Sequence, residues 1–102
     1  MEKEDFMRRM AQLRMNKGVS ARDMSLSIGQ SEGYINNIEN GVNYPSMQTF
    51  FYICDYLNIT PKDFFDIENS DPVKTNQLLS ILKGLTSEQL EHLIAIAKGL
   101  QK

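Results

Sequence analysis

The stretch SEGYINNIENG, Ser31 to Gly41, places three asparagines, Asn36, Asn37 and Asn40, on one short helical segment. Asparagine is a poor helix former, because its amide competes with the backbone for hydrogen bonds. What the amide offers instead is a donor and an acceptor side by side on one planar group, matched to a partner edge that carries the complementary pair. Other residues that could do chemistry are sparse. His92 has no second histidine or cysteine near it and reads as a surface imidazole. Cys54 falls on the apolar face of a helix and reads as inert core. Neither a glycine-rich phosphate loop nor a nucleophile motif occurs. Catalysis finds no support, and neither cofactor, metal nor small-molecule substrate is expected.

The elements that position these asparagines read as helices throughout, since no segment shows period-2 alternation or clustered β-branched residues. Helix 1 is expected over Lys3–Lys17, with Phe6, Met10, Leu13 and Met7 turned inward and Gly18 ending it. Helix 2 starts at Ser20, a cap with Asp23 three residues on, buries Met24 and Ile28, and stops at Gly29. Ser31 is expected to cap helix 3, whose inward residues are Tyr34, Ile35 and Ile38. Ser46 caps helix 4, with Phe50, Ile53, Cys54 and Leu57 inside. Thr60, Pro61 and Asp63 open a short fifth helix carrying Phe64 and Phe65.

Composition sets the frame. The 102 residues are 41% hydrophobic and 24% charged, which suits one domain with an appendage. No apolar run approaches the ~18 residues that a membrane span requires. The acidic start, MEKEDF, lacks the apolar core of a signal peptide, and one cysteine excludes an internal disulfide, so a cytoplasmic protein is expected. The net charge of −2 hides a bipolar distribution. Five basic residues (Arg8, Arg9, Arg14, Lys17, Arg22) and no acidic ones lie between Phe6 and Arg22, whereas Asp55–Asp71 is acidic. If the fold sets the basic segment beside Ser31–Gly41, an anionic ligand finds an electropositive surface there.

Helices 2 and 3, separated by Gly29 and Gln30, must cross steeply, and Ser25 supplies the small residue at the crossing. A capped, glycine-broken pair of this kind is a helix-turn-helix, whose second helix presents its outer face to the major groove of DNA. An asparagine amide pairs bidentately with adenine and also reaches phosphate, which gives the three asparagines a purpose.

Phe6–Asp66 resembles the Xre/Cro/cI-type helix-turn-helix family. The resemblance is carried by LRMNKGVSARDMSLSIGQSEGYINNIENGVNYPS and FFYICDYLNITPKDFF, with Gly29, Glu39, Gly41 and Pro45 at the family's spacing. It implies an all-α, five-helix lambda-repressor-like domain over residues 1–68 and a DNA-binding transcriptional regulator, a repressor, that inserts residues 31–40 into the major groove. The DNA-facing positions it implies are Ala21, Ser31, Glu32, Gly33, Asn36, Asn37 and Asn40, with Asn43 and Tyr44 on the sugar-phosphate backbone. Arg22 reads either as a phosphate contact or as a solvated charge, Ser31 as a cap with or without a phosphate role, and Asn40 as a contact or as helix-end chemistry. Ala21 stands where the family commonly carries glutamine, and Gly33 where it carries a longer side chain. Glu39 is expected to bridge Arg14 in a partly buried structural pair. A second reading is a protein-binding adaptor or antirepressor on the same fold.

Residues 69–102 fall outside the resemblance. They read as a helical hairpin, Pro72–Lys83 and Ser87–Gln101, split by Gly84 and capped at Thr86. Leu78, Leu79, Ile81, Leu82 and Leu85 stripe the first helix, and Leu90, Leu93, Ile94, Ala97 and Leu100 the second. These stripes need a partner, either the chain's own domain or a second copy, with Tyr52 and Tyr56 of helix 4 as a competing seam. The expected partners are double-stranded DNA and a second copy in a homodimer.

Overall fold

Phe6, Met10 and Leu13 recur at i, i+4 and i+7, and this stripe folds as α1, Lys3–Lys17, with all three side chains buried. In the computed structural model, which describes residues 1–101, six helices follow. They are α2 (Ala21–Ser27), α3 (Tyr34–Glu39), α4 (Met47–Leu57), α5 (Pro61–Phe65), α6 (Pro72–Leu82) and α7 (Ser87–Leu100). No strand occurs among the described residues, so the all-α expectation holds. No helix among them is long and apolar enough to cross a membrane.

Local sequence explains most of the helix ends. The Ser20 hydroxyl accepts from the Asp23 amide at 3.0 Å, and Ser46 accepts from the Thr49 amide at 3.1 Å. Thr60 with Asp63, and Thr86 with Gln89, form reciprocal capping boxes. Gly29, at φ +79°, ends α2, and the next amide, Gln30, donates to the Ser25 carbonyl at 2.9 Å. Gly41, at φ +77°, ends α3 in the same way, and a Cβ there would also meet Met7 Sδ at 3.0 Å.

Ser31 departs from expectation. Helix α3 begins only at Tyr34, behind Gly33, and has no side-chain cap. The Tyr34 amide donates instead to the Ser31 carbonyl at 3.1 Å, so a turn precedes the helix. Glycine disfavours helix by ~1 kcal/mol relative to alanine, which explains why the first turn of the expected helix stays outside α geometry. The connection between α2 and α3 is accordingly longer than Gly29–Gln30.

The core joins α1 to α5: Met24, Ile35, Ile38, Phe50, Ile53, Cys54, Leu57 and Phe64 close over the α1 stripe. The Phe64 ring lies 5.0 Å from Phe50 and 5.1 Å from Phe6. Arg9, one of the five residues of the basic segment, is buried in this core at 2% exposure. Its Nε donates to the Phe64 carbonyl at 2.7 Å, and Nη2 donates to the Asp63 and Asp66 carbonyls at 2.7 and 3.0 Å. Nη1 donates to the Asn69 carbonyl at 2.8 Å and to Gln12 Oε1 at 2.7 Å. Arg9 thus supplies the donor that the Phe64 carbonyl at the end of α5 and the Asn69 carbonyl otherwise lack. It adds to the Asp63 and Asp66 carbonyls, which also accept the Asp66 and Asn69 amides at 3.3 and 3.1 Å, and a cation there also suits the helix dipole.

The hairpin behaves differently at its two ends. Pro72, in the first turn of α6, is fully buried, whereas beyond it no residue of α6 or α7 is buried. Leu82, Leu85 and Leu90 are half-buried near the turn, while Leu78, Leu79, Ile81, Ile94, Ile96 and Leu100 are each more than half exposed.

Candidate nucleic-acid interface

Two buried contacts hold α3 in place. Ser25, wholly buried in α2, accepts the Ile35 amide at 2.9 Å and donates to the Ala21 carbonyl at 2.7 Å. A larger side chain there would separate the helices, and alanine would strand the Ile35 amide. At the other end, Arg14 grips Glu39 bidentately, Nε to Oε2 at 2.7 Å and Nη2 to Oε1 at 2.9 Å, and its Nη1 reaches the Val19 carbonyl at 2.9 Å. The two side chains are 18% and 11% exposed, so the pair is shielded on α1 and the last turn of α3. The hydrogen bond to Glu39 raises the Arg14 pKa, against the lowering by burial.

Ile35 and Ile38 face inward, which turns Asn36, Asn37 and Asn40 to solvent. None of the three amides has a hydrogen-bond partner among the described residues. The end of α3 is completed by backbone bonds at Gly41, so the Asn40 side chain is not needed there. Ser31 and Glu32 lie exposed in the turn before α3, with Gly33 half-buried beside them. Ala21, at the start of α2, is half-buried. Asn43 and Tyr44 are exposed in the loop after α3, where Asn43 Nδ2 donates to the Tyr44 carbonyl at 3.3 Å. The Tyr44 ring stands edge-on to Phe6 at 5.4 Å, and Lys3 Nζ lies 5.7 Å from its centre.

The expected electropositive surface is thinner than the sequence implied. Arg9 is buried, Arg14 is committed to Glu39, and Arg8 pairs with Asp5 at 2.7 Å. Arg22 pairs with Glu32 at 3.1 Å across an exposed surface, and Lys17 Nζ sits 4.8 Å above the Tyr56 ring. Sequence adjacency suggested a basic run, but the helical period sorts these cations onto different faces. Arg9 lies three residues after Phe6 and four before Leu13, which is the spacing of the buried stripe. That register was the available clue to its burial.

Burial also pushes the Cys54 thiol up to about 11, which keeps it protonated and unreactive at neutral pH. No group of three histidine, cysteine, aspartate or glutamate side chains among the described residues could hold a metal ion. A second exposed feature lies beside Tyr44. It is an apolar hollow of about 290 Å³ walled by Phe6, Tyr44, Met47, Phe50, Phe51 and Phe65, of which Phe65 was not recognisable as exposed from its place next to buried Phe64.

A model of the helix-turn-helix family matches residues 10–64, which takes in α2, α3 and α4 whole, the C-terminal half of α1 and the first four residues of α5. Neither a curated protein nor a solved structure gives a match.

Proposed function

Because the chain belongs to the Xre/Cro/cI-type helix-turn-helix family, a family of DNA-binding regulators, we propose that it represses transcription by reading a specific duplex sequence with α3 in the major groove. One observation carries this reading: three asparagine amides stand exposed and unpartnered on the outer face of a helix whose inner face is locked by Ser25 and by Arg14–Glu39. A planar donor–acceptor group held on a rigid helix suits the N6/N7 edge of adenine. Asn37, and then Asn36 and Asn40, are assigned to base edges. Ser31, Gly33 and Ala21 bring backbone close to phosphate at the two helix starts, and Asn43 and Tyr44 follow the sugar-phosphate backbone. Two copies reading an inverted repeat, joined through α6 and α7, complete the proposal.

The test is Asn37→Ala. Binding to a site selected from a random duplex pool is expected to weaken by ~1–3 kcal/mol, with little change on random duplex. Equal losses on both would make Asn37 a backbone contact.

Glu32 gives a second expectation. It places a negative charge on the proposed interface and engages Arg22, both side chains being about 70% exposed (68% and 70%). Glu32→Gln is therefore expected to tighten binding to random duplex several-fold. The logarithmic salt dependence should steepen by about one unit as Arg22 becomes free to neutralise a phosphate. An unchanged slope would mean that Arg22 makes no phosphate contact.

The second reading, a protein-binding adaptor, is favoured by the commitment of Arg8, Arg9, Arg14 and Arg22 to internal partners and by the exposed hollow at Phe51 and Phe65. Failure to enrich any duplex from the random pool at low salt would select it.

A further inference from the structure

Residues 66–71 join α5 to α6 and have the polar composition of a flexible linker, DIENSD. Their contacts are those of a built joint. Arg9 takes the Asp66 and Asn69 carbonyls at 3.0 and 2.8 Å, and Asn16 Nδ2 donates to the Ser70 carbonyl at 2.7 Å. Asn69 Oδ1 accepts the Asp71 amide at 3.3 Å and the Thr75 hydroxyl at 3.0 Å, which folds the linker onto the first turn of α6. Asn76 Nδ2 donates to Asp63 Oδ2 at 3.2 Å, tying the second turn of α6 back to α5. Pro72 is fully buried between these ties. The root of α6 is thereby fixed to α1, and α1 is fixed to α3 through Arg14 and Glu39. An unbroken path of hydrogen bonds and packed helices runs from the exposed leucines of the tail to the asparagine face.

We propose that Asn16 and Asn69 are positioning residues that set the spacing of the two half-sites, by holding α6 in one direction relative to α3. The proposal rests on the reading that two copies pair through their tails. Each base pair added between half-sites moves one of them by about 3.4 Å and turns it by about 34° around the duplex. A dimer with a stiff root meets that displacement only by straining the joint or giving up contacts, so it accepts one spacing. With a hinge at the same place, several spacings are accepted, because the linker absorbs the rotation.

The test uses the full chain and the inverted repeat recovered by it from a random duplex pool, with one or two base pairs added or removed at the centre. The unaltered protein is expected to lose about tenfold or more in affinity for each added or removed base pair. Two variants open the joint: Asn16→Ala combined with Asn69→Gly, and a Gly-Ser-Gly-Ser insertion between Ser70 and Asp71, which leaves every residue of the domain in place. Both are expected to stay dimeric and to lose less than about threefold across the same series. Dimeric variants that keep the steep spacing dependence overturn the proposal alone. An unaltered chain that is monomeric in solution and selects a single half-site overturns the dimer reading, and the proposal with it.

Discussion

Replacement of Arg9 by methionine is expected to lower the unfolding free energy by about 3–5 kcal/mol, the largest effect of any single substitution outside the apolar core. Methionine keeps the apolar stem of arginine but donates nothing. It leaves the carbonyls of Phe64 and Asn69 and the side-chain oxygen of Gln12 to find other donors in a place from which water is largely excluded, while those of Asp63 and Asp66 keep the Asp66 and Asn69 amides at 3.3 and 3.1 Å. A stranded buried acceptor costs about 1–3 kcal/mol, and partial opening of residues 66–69 toward water keeps the total below the sum. Against a domain stability of about 5–15 kcal/mol, such a loss moves the denaturant midpoint far down. Burial lowers the pKa of the Arg9 guanidinium, while Asp66 and Asp63 raise it. An arginine stays charged throughout the ordinary range, so the loss should be the same at pH 6 and pH 8. Arg9→Lys should recover only part of it, since one ammonium lacks the planar fork that spans α5 and the linker together. The neighbouring Arg8→Met, on an exposed side chain, should change stability by no more than about 0.5 kcal/mol. A loss below about 1 kcal/mol for Arg9→Met in urea unfolding would show that the Phe64 and Asn69 carbonyls do not depend on it.

Arg9 also marks where the sequence was legible and where it was not. Ser20, Ser46, Thr60 and Thr86 announce their helices because a cap acts within four residues, and each does so in the structure. The stripe Phe6–Met10–Leu13 is likewise a local pattern, and it buries as the period requires. Ser31 has the same chemistry as Ser20 and fails to cap, because Gly33 and the preceding turn decide where α3 starts. Arg9 was misplaced for a different reason, and Phe65 was left without a side. What buries Arg9 is a set of carbonyls more than fifty residues away, and what exposes Phe65 is that Phe64 already fills the space between Phe6 and Phe50. Charge behaves the same way, since the partner of Arg22, Glu32, lies ten residues off, while the pairing of Arg14 with Glu39, twenty-five residues off, was expected from the family resemblance and not from spacing. The asparagine face was readable because poor helix formers in mid-helix need a reason wherever the helix sits.

Charging the exposed face of the tail is expected to turn a dimer into a monomer without unfolding it. Leu78, Ile94, Ile96 and Leu100 are 54%, 53%, 60% and 79% exposed, and with Leu82, Leu90, Leu93 and Ala97 they line a wholly apolar hollow of about 270 Å³. A soluble monomer seldom leaves apolar patches larger than a few hundred Å² uncovered, and a stable two-fold interface needs about 800 Å² from each partner. The same surface pressed on its symmetry mate would cover the patch, because it is self-complementary in chemistry and carries no charge to desolvate. Leu78→Lys together with Ile94→Lys should therefore give a mass of 11.7 kDa at tens of micromolar where the unaltered chain gives twice that value. The domain should stay folded, since both side chains are already more than half in water. Affinity for the inverted repeat should fall by about 100-fold or more, because each half-site is then bound alone, while affinity for random duplex changes little. A double variant that remains dimeric moves the seam elsewhere. Tyr56 is a poor alternative, being half-buried beneath Lys17, and the hollow at Tyr44, Met47, Phe51 and Phe65 becomes the stronger one. Phe51→Asp, 48% exposed on the outer side of α4, would then be the substitution that separates the copies.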